Sequence, residues 1–290
     1  MTQQYGILAF PAKHSLSPVV FDAAFKAIDT DSQFGFFEIP ENELGDFMDR
    51  MKAGKVSGLS VSLPYKEMIL NYMDQVSEDA KKIGAVNTVV NRDGVFYGYN
   101  TDFVGSSQAL KEAVGDLKNK QVVILGAGGA ARAVIYGLLK EGANVLGILN
   151  RTLDHAEKLA KEFSEMFGVE IKAFSSENLA NTLSFQKELI QAETILIQTT
   201  SLWTLQPDIT AAESEKFCPA EYVKYFSTVM EIVYKPLFTP LLKTARALGK
   251  KIITGDKMFL YQASEQFKLF TGKEAPMEVM RKTLNENLSQ

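Results

Sequence analysis

Lys66, Asn87 and Asp102 carry side chains suited to holding and moving a proton. Lys66 sits in Ser60-Val61-Ser62-Leu63-Pro64-Tyr65-Lys66-Glu67, Asn87 in Gly84-Ala85-Val86-Asn87-Thr88-Val89-Val90, and Asp102 ends Tyr97-Gly98-Tyr99-Asn100-Thr101-Asp102. Upstream of a nucleotide-binding turn, they make a plausible proton-transfer site beside a hydride donor. A lysine beside an aspartate can act there as a hydrogen-bonded pair, in which the proton is not assigned to one member. Asn87 offers a donor and an acceptor, which fits a vicinal hydroxyl. Taken singly, each has a plainer explanation: Lys66 as an exposed first-turn lysine, Asp102 as the cap of the following helix.

Hydride chemistry needs a nucleotide site. Gly126-Ala127-Gly128-Gly129-Ala130-Ala131 follows an apolar run, Gln121–Leu125, and opens a helical pattern over Gly129–Glu141. In the dinucleotide fingerprint the first glycine makes the tight turn, the second admits the pyrophosphate to the backbone, and the third small residue, here Ala131, lets helix and strand pack closely. The helix then offers unpaired N–H groups to phosphate. The second strand ends in Ile148-Leu149-Asn150-Arg151-Thr152, without the carboxylate that binds a ribose 2′-hydroxyl in NAD enzymes. Asn150 and Arg151 suit a 2′-phosphate instead, although the same residues also read as a capping turn with a solvated arginine. His155 follows, with Asp154 adding a negative charge beside it. NADP is therefore expected, with NAD as the alternative.

The elements that must position these residues repeat as strand then helix. Strands are predicted at Tyr5–Phe10, Phe34–Ile39 and Val56–Ser62, with helices from Ser17 to about Ile28 and from Glu41 to Lys52. Ser17 is read as the cap of the first helix with Pro18 in its first turn, and Pro64 is read as opening the helix that carries Lys66. Thr88–Asn91 and Val95–Tyr99 flank Asp93-Gly94, a hairpin signal. The order implies an α/β unit with a mainly parallel sheet. From about residue 103 the pattern restarts as a doubly wound nucleotide-binding domain. It has further strands at Asn144–Leu149, near Glu170–Phe174, Thr194–Gln198 and Val229–Val233, and at Lys251–Ile253, with a helix at Thr152–Phe167.

Composition narrows the class. With 290 residues there is room for two domains, and 46% hydrophobic with 23% charged residues is typical of soluble globular proteins. A net charge of −4 gives no support for nucleic-acid or anionic-membrane binding. No signal-peptide pattern or membrane span is read, so the chain is expected to be cytoplasmic. One cysteine, Cys218, and two histidines, His14 and His155, exclude an internal disulfide and argue against a cysteine-built or histidine-rich metal site.

The order and wording of these motifs resemble the shikimate dehydrogenase family over nearly the whole chain. Ser60 and the run Glu265-Gln266-Phe267-Lys268-Leu269-Phe270-Thr271-Gly272 look particularly like the dehydrogenase half of the plant bifunctional dehydroquinate dehydratase–shikimate dehydrogenase. The resemblance implies an N-terminal substrate domain, 1–102, completed by C-terminal helices at 256–290, and a Rossmann-like NADP domain at 103–255. It implies reversible reduction of 3-dehydroshikimate to shikimate by NADPH, with Lys66 and Asp102 catalytic. Ser15 and Ser17, in His14-Ser15-Leu16-Ser17-Pro18, would hold the substrate carboxylate, and Ser62, Asn87, Tyr234 and Gln262 would touch the substrate. Thr200, in Ile197-Gln198-Thr199-Thr200-Ser201, and Gly255, in the closing motif Gly255-Asp256-Lys257-Met258, join Asn150, Arg151 and Thr152 at the cofactor. Against the family's habits, Gln198 stands where asparagine is commoner, Trp203 replaces a glycine, Glu231 replaces an aspartate, and Ser60 replaces an asparagine. A quinate or mixed quinate/shikimate dehydrogenase using NAD or NADP is the neighbouring reading. A nucleotide sensor without catalysis is the reading from another class. A monomer or homodimer is expected.

Overall fold

Short apolar runs, each too brief for a helix, build two separate sheets in the computed structural model. It describes residues 2–54, 56–176, 193–202 and 220–288. The chain divides into two units, Met1–Val104 with Leu260–Gln290, and Gly105–Phe259.

In the first unit, strands β1 (Gln3–Ala9), β2 (Ser32–Glu38), β3 (Val56–Val61), β4 (Gln75–Val76), β5 (Thr88–Arg92) and β6 (Val95–Tyr99) order as β2-β1-β3-β5-β6-β4. The sheet is mainly parallel, as expected, with three parallel pairings, β1–β2, β1–β3 and β4–β6, and two antiparallel ones. β1 lies parallel to β2 and β3, but β5 returns antiparallel to β3 and continues into antiparallel β6. The physical cause is local. Asp93 and Gly94 both take positive φ, 53° and 85°, the two-residue turn whose twist matches antiparallel strands. Side chains alternate across β1. Tyr5 meets Phe25 and Phe270, while Leu8 joins Phe47, Met48, Leu59, Tyr65 and Phe96 on the other face. Helices α1 (Ser17–Ala27) and α2 (Leu44–Ala53) follow their strands, the latter after a 3-10 turn at Glu41–Glu43. A short helix, α3 (Glu78–Ile83), capped by Ser77, was not apparent from sequence.

The second unit is all parallel. Strands β7 (Gln121–Leu125), β8 (Asn144–Asn150), β9 (Lys172–Ser175), β10 (Ile195–Gln198), β11 (Thr228–Glu231) and β12 (Lys251–Ile253) order as β12-β11-β10-β7-β8-β9. This is the doubly wound order, with its reversal between β7 and β10. Val123 and Leu125 face a cluster with Leu196, Val229, Leu241 and Leu242. The opposite face of the sheet is covered by α5 (Gly129–Lys140) and α6 (Leu153–Phe167). Among the described residues, the remaining α-helices are α4 (Asp102–Val114), α7 (Ala220–Val223), α8 (Pro240–Ala247), α9 (Gly255–Thr271) and α10 (Met277–Leu288). Among the described residues, no helix is long and apolar enough to cross a membrane.

Candidate active site

The C-terminal ends of parallel strands β1 and β3 lie side by side. Ser62 N donates to Leu8 O at 2.9 Å and Phe10 N to Leu63 O at 3.0 Å. The segments leaving them carry Ser15 and Ser17 on one strand's exit, Ser62 and Lys66 on the other. Such strand ends are where open α/β sheets bind ligands.

Lys66 is not on a helix, contrary to the sequence reading. It lies in consecutive turns that lead into a 3-10 helix at Met68–Tyr72. The Lys66 carbonyl accepts from Val86 N at 2.7 Å, while the N–H of Leu70 bonds Glu67 O. The bond from Val86 ties Lys66 to the segment entering Asn87. Lys66 Nζ lies 2.6 Å from Asp102 Oδ2, with side chains 15% and 6% exposed.

Asp102 is the first residue of α4, and its own N–H donates to Asn100 Oδ1 at 3.0 Å. Its carboxylate instead turns to Lys66 and to Asn87, whose Nδ2 donates to Oδ1 at 2.9 Å. Asn87 is buried, and its orientation is fixed by Thr101 N, which can only donate and lies 2.8 Å from Oδ1. Thr88 Oγ1 donates to the same oxygen at 2.7 Å, while Nδ2 also reaches Thr101 Oγ1 at 2.9 Å. Asp102 therefore accepts at both oxygens, one bond coming from an ammonium. Lys66 has two more N–H donors to offer a ligand oxygen.

Gln262, on α9, approaches this group with Oε1 3.5 Å from both Asn87 Nδ2 and Thr101 Oγ1. Ser15 and Ser17 meet one another, Oγ to Oγ at 3.0 Å, and Ser17 N donates to Ser15 Oγ at 3.1 Å. Ser17 does not cap α1 as expected; Leu16 holds the cap position, and Ser17 is the first helical residue. Ser15 supplies the oxygen that satisfies the helix start, which leaves the two hydroxyls adjacent. His14 is exposed. Two buried residues that sequence reasoning gave no role stand behind Asn87. Ser60 donates to Gln266 Oε1 at 2.6 Å, and Gln266 Nε2 donates to Asn87 O and Thr88 Oγ1, both at 3.0 Å. The signal was a polar residue on the buried stripe of α9, between Ala263 and Phe267.

In the second unit, Gly126 has φ +116°, and a Cβ there would lie 2.5 Å from Thr199 Oγ1. Thr199 N and Oγ1 both donate to Leu125 O, at 2.7 and 2.8 Å, which closes β10 against β7 at the reversal point. Gly128 differs: a Cβ added to it meets nothing within 4 Å, and no side chain caps α5. Open space above an uncapped helix start, with Ala131 buried beneath, fits a pyrophosphate. Ala127, Gly129 and Ala130 complete that turn. At the end of β8, Asn150 Nδ2 donates to Thr152 O at 2.9 Å and shapes the turn, leaving Arg151, Thr152, Asp154 and His155 exposed.

Gln198 is buried and clamps its own turn, accepting from Thr200 N at 2.5 Å and donating to Thr200 O at 3.3 Å. Gly255 is needed for close approach, since a Cβ would collide with the Val233 and Ile232 carbonyls. Glu231 is buried and accepts from Val233 N at 3.1 Å. Tyr234 packs on Phe259 with ring centres 4.7 Å apart. Trp203 and Cys218 lie outside the described residues.

Three family descriptions match the chain: the shikimate dehydrogenase substrate binding domain at residues 7–89, shikimate / quinate 5-dehydrogenase at 108–203, and the shikimate 5′-dehydrogenase C-terminal domain at 257–284. The NADP(+) shikimate dehydrogenase of Thermococcus kodakarensis is 39% identical over 289 residues, covering 100% of this chain and 98% of the relative. A crystal structure of a shikimate dehydrogenase in complex with NADP+ superposes with a TM-score of 0.87 at 34% identity, covering 100% of this chain and 96% of the other. The shikimate 5-dehydrogenase of Thermus thermophilus, in complex with NADP(H) and shikimate, gives 0.78 at 30% identity over 98% and 99%.

Proposed function

The chain belongs to the shikimate dehydrogenase family, and from that premise we propose that the Lys66 cluster is the proton-transfer site of an enzyme interconverting 3-dehydroshikimate and shikimate with NADP(H). It is an oxidoreductase that uses NADP. When bound, NADPH supplies the hydride that reduces the ring ketone.

Lys66 gives a proton to the oxygen of that ketone as it gains negative charge, and takes it back in the oxidative direction. The balance is one ketone, one hydride and one proton to one alcohol. Asp102 keeps the lysine's N–H pointing within the site and offsets its charge, a short charge-assisted bond that fixes direction. Asn87 holds the other carboxylate oxygen, and with its own hydrogen-bonding groups engaged by Thr88, Thr101 and Asp102 its first task is to orient Asp102. Ser15 and Ser17 present adjacent hydroxyls for the substrate carboxylate, and Ser62, Gln262 and Tyr234 serve ring hydroxyls. The Gly126–Ala130 turn receives the pyrophosphate and Arg151 the 2′-phosphate, with Asn150 and Thr152 shaping its turn. Thr200 and Gly255 are the further cofactor residues. We place the enzyme in the cytoplasm, as a monomer or homodimer without a nucleic-acid partner.

The single observation that carries this reading is the joined Lys66–Asp102–Asn87 cluster, 2.6 and 2.9 Å, beside the C-terminal end of β3. The test is a four-way assay of purified protein, shikimate and quinate each with NADP and NAD, followed by nicotinamide absorbance. Shikimate with NADP is expected to be fastest. Faster turnover of quinate, or none of any pair, overturns the proposal.

A further inference from the structure

Gln266 is 2% exposed and lies one helical turn beyond Gln262 on α9. Every polar atom of its side chain is used, and the partners dictate its direction. The Asn87 carbonyl can only accept, so the side chain atom 3.0 Å from it must be the Nε2 amide. Oε1 then faces Ser60, whose hydroxyl donates to it at 2.6 Å.

The consequences run outward in one direction. The second Nε2 hydrogen points at Thr88 Oγ1, 3.0 Å away, so Thr88 accepts there and its one hydrogen goes to Asn87 Oδ1 at 2.7 Å. With Oδ1 occupied by Thr88 and by Thr101 N, Asn87 turns Nδ2 toward Asp102 Oδ1. Asp102 is then left with Oδ2 for Lys66. Each link in this chain is 3.0 Å or shorter, and the Thr88 hydroxyl joins Thr101 N in orienting the Asn87 amide. The Asn87 carbonyl meanwhile accepts from both Gln266 and Val61 N, which holds the backbone of that residue from two sides.

We propose that Gln266 is a positioning residue for proton transfer: acting through Thr88 and Asn87, it sets the side from which Asp102 is held and hence where Lys66 keeps its proton. The inference rests on the shikimate dehydrogenase reading and deepens it. Gln266 acts through the protein, with its side-chain amide bonded to Ser60, Thr88 and the Asn87 carbonyl. Without its amide, the Thr88 hydroxyl is released to turn away from Asn87, and Asn87 loses the shortest of the bonds that orient it, leaving those from Thr101. The Asp102 carboxylate then has a second arrangement open to it. Misplacement of reacting groups by about 1 Å is enough to cost on the order of 100-fold in rate.

The test is a double-mutant cycle on the full-length protein. Gln266→Met keeps the length of the side chain and removes its amide. Thr88→Val keeps the branched shape that β5 needs and removes only the hydroxyl. Each is measured alone and in an Asn87→Ala background, with KM and kcat for shikimate and with circular dichroism as a check on folding. Both single variants are expected to lose about 10-fold or more in kcat, with KM for shikimate changed less than kcat. In the Asn87→Ala background neither is expected to reduce kcat further, because their route to Asp102 is already cut.

Unchanged kcat in the folded variants overturns the inference, as does a full loss repeated in the Asn87→Ala background. If Gln266→Met fails to fold, Thr88→Val decides alone by the same two criteria. A wild-type protein without activity on shikimate and NADP defeats the functional reading before any variant is compared. An active wild type with indifferent variants defeats only the role given to Gln266.

Discussion

Replacing Lys66 by methionine removes the charge and the proton while keeping an unbranched side chain of similar length. The structure gives two quantities to weigh. Catalytically, a positioned acid–base group contributes at least about 100-fold, so kcat for shikimate is expected to fall by ~100-fold or more, equivalent to ~2.7 kcal/mol of barrier. For stability, the loss is the ion pair at 2.6 Å with Asp102, whose side chain is 6% exposed against 15% for Lys66. Removing one member of a fully buried pair costs about 3–5 kcal/mol, because the other charge is stranded. Here Asn87 Nδ2 still donates to Asp102 at 2.9 Å and water reaches the lysine side. The cost is therefore nearer ~1–2 kcal/mol, and Tm drops by only several degrees. Steady-state oxidation of shikimate with NADP, alongside a thermal melt, reads both numbers on one preparation. A variant that melts a few degrees low and retains near-native kcat removes Lys66 from the chemistry. A variant with intact kcat and a raised KM makes Lys66 a ground-state binding group instead.

Ser15→Ala and Ser17→Ala are expected mainly to raise KM for shikimate, by about 10-fold, the effect of losing a hydrogen bond to a charged group; kinetics showing lost kcat at unchanged KM contradict the carboxylate role. Arg151→Ala is expected to raise KM for NADP by ~10-fold and to leave NAD nearly untouched, since only NADP carries the phosphate it would bind; equal weakening of both cofactors refutes it. Gly126→Ala and Gly128→Ala are expected to separate folding from binding. At Gly126, φ is +116° and the new Cβ would lie 2.5 Å from Thr199 Oγ1, so Tm falls. At Gly128 the new methyl enters open space, so Tm holds and KM for NADP rises. Melting curves and cofactor titrations on the pair check this, and a matched loss of Tm at both positions argues against a phosphate site.

The parallel unit was legible because its elements are periodic and ordered strand then helix, and because Gly126–Ala131 runs from the end of β7 into the first turn of α5 where the fingerprint requires it. The Asp93-Gly94 hairpin was equally plain, since two positive-φ residues leave a two-residue loop few alternatives. What that hairpin does to the sheet was not legible. Pairing of β5 with β3 joins distant segments, and local period carries no information about it. Lys66 was read as helical from Pro64, but the segment runs as turns, with the Lys66 carbonyl accepting from the N–H of Val86. No local rule sees a partner twenty residues on (roughly one loop and one short helix away). The Ser60–Gln266 pair illustrates the same limit in the site: two neutral polar residues look ordinary in sequence until burial forces their hydrogen bonds onto Asn87 and Thr88.

The central claim is that this chain moves a hydride between nicotinamide and one ring carbon while Lys66 handles the accompanying proton. It is tested most directly by mixing the protein with 3-dehydroshikimate and NADPH carrying deuterium at its transferable position, then following the product by proton NMR. The account predicts shikimate with one deuterium on the carbon that held the ketone oxygen, and no label elsewhere. Deuterium lost to solvent, label on another carbon, or recovery of unreacted 3-dehydroshikimate contradicts it.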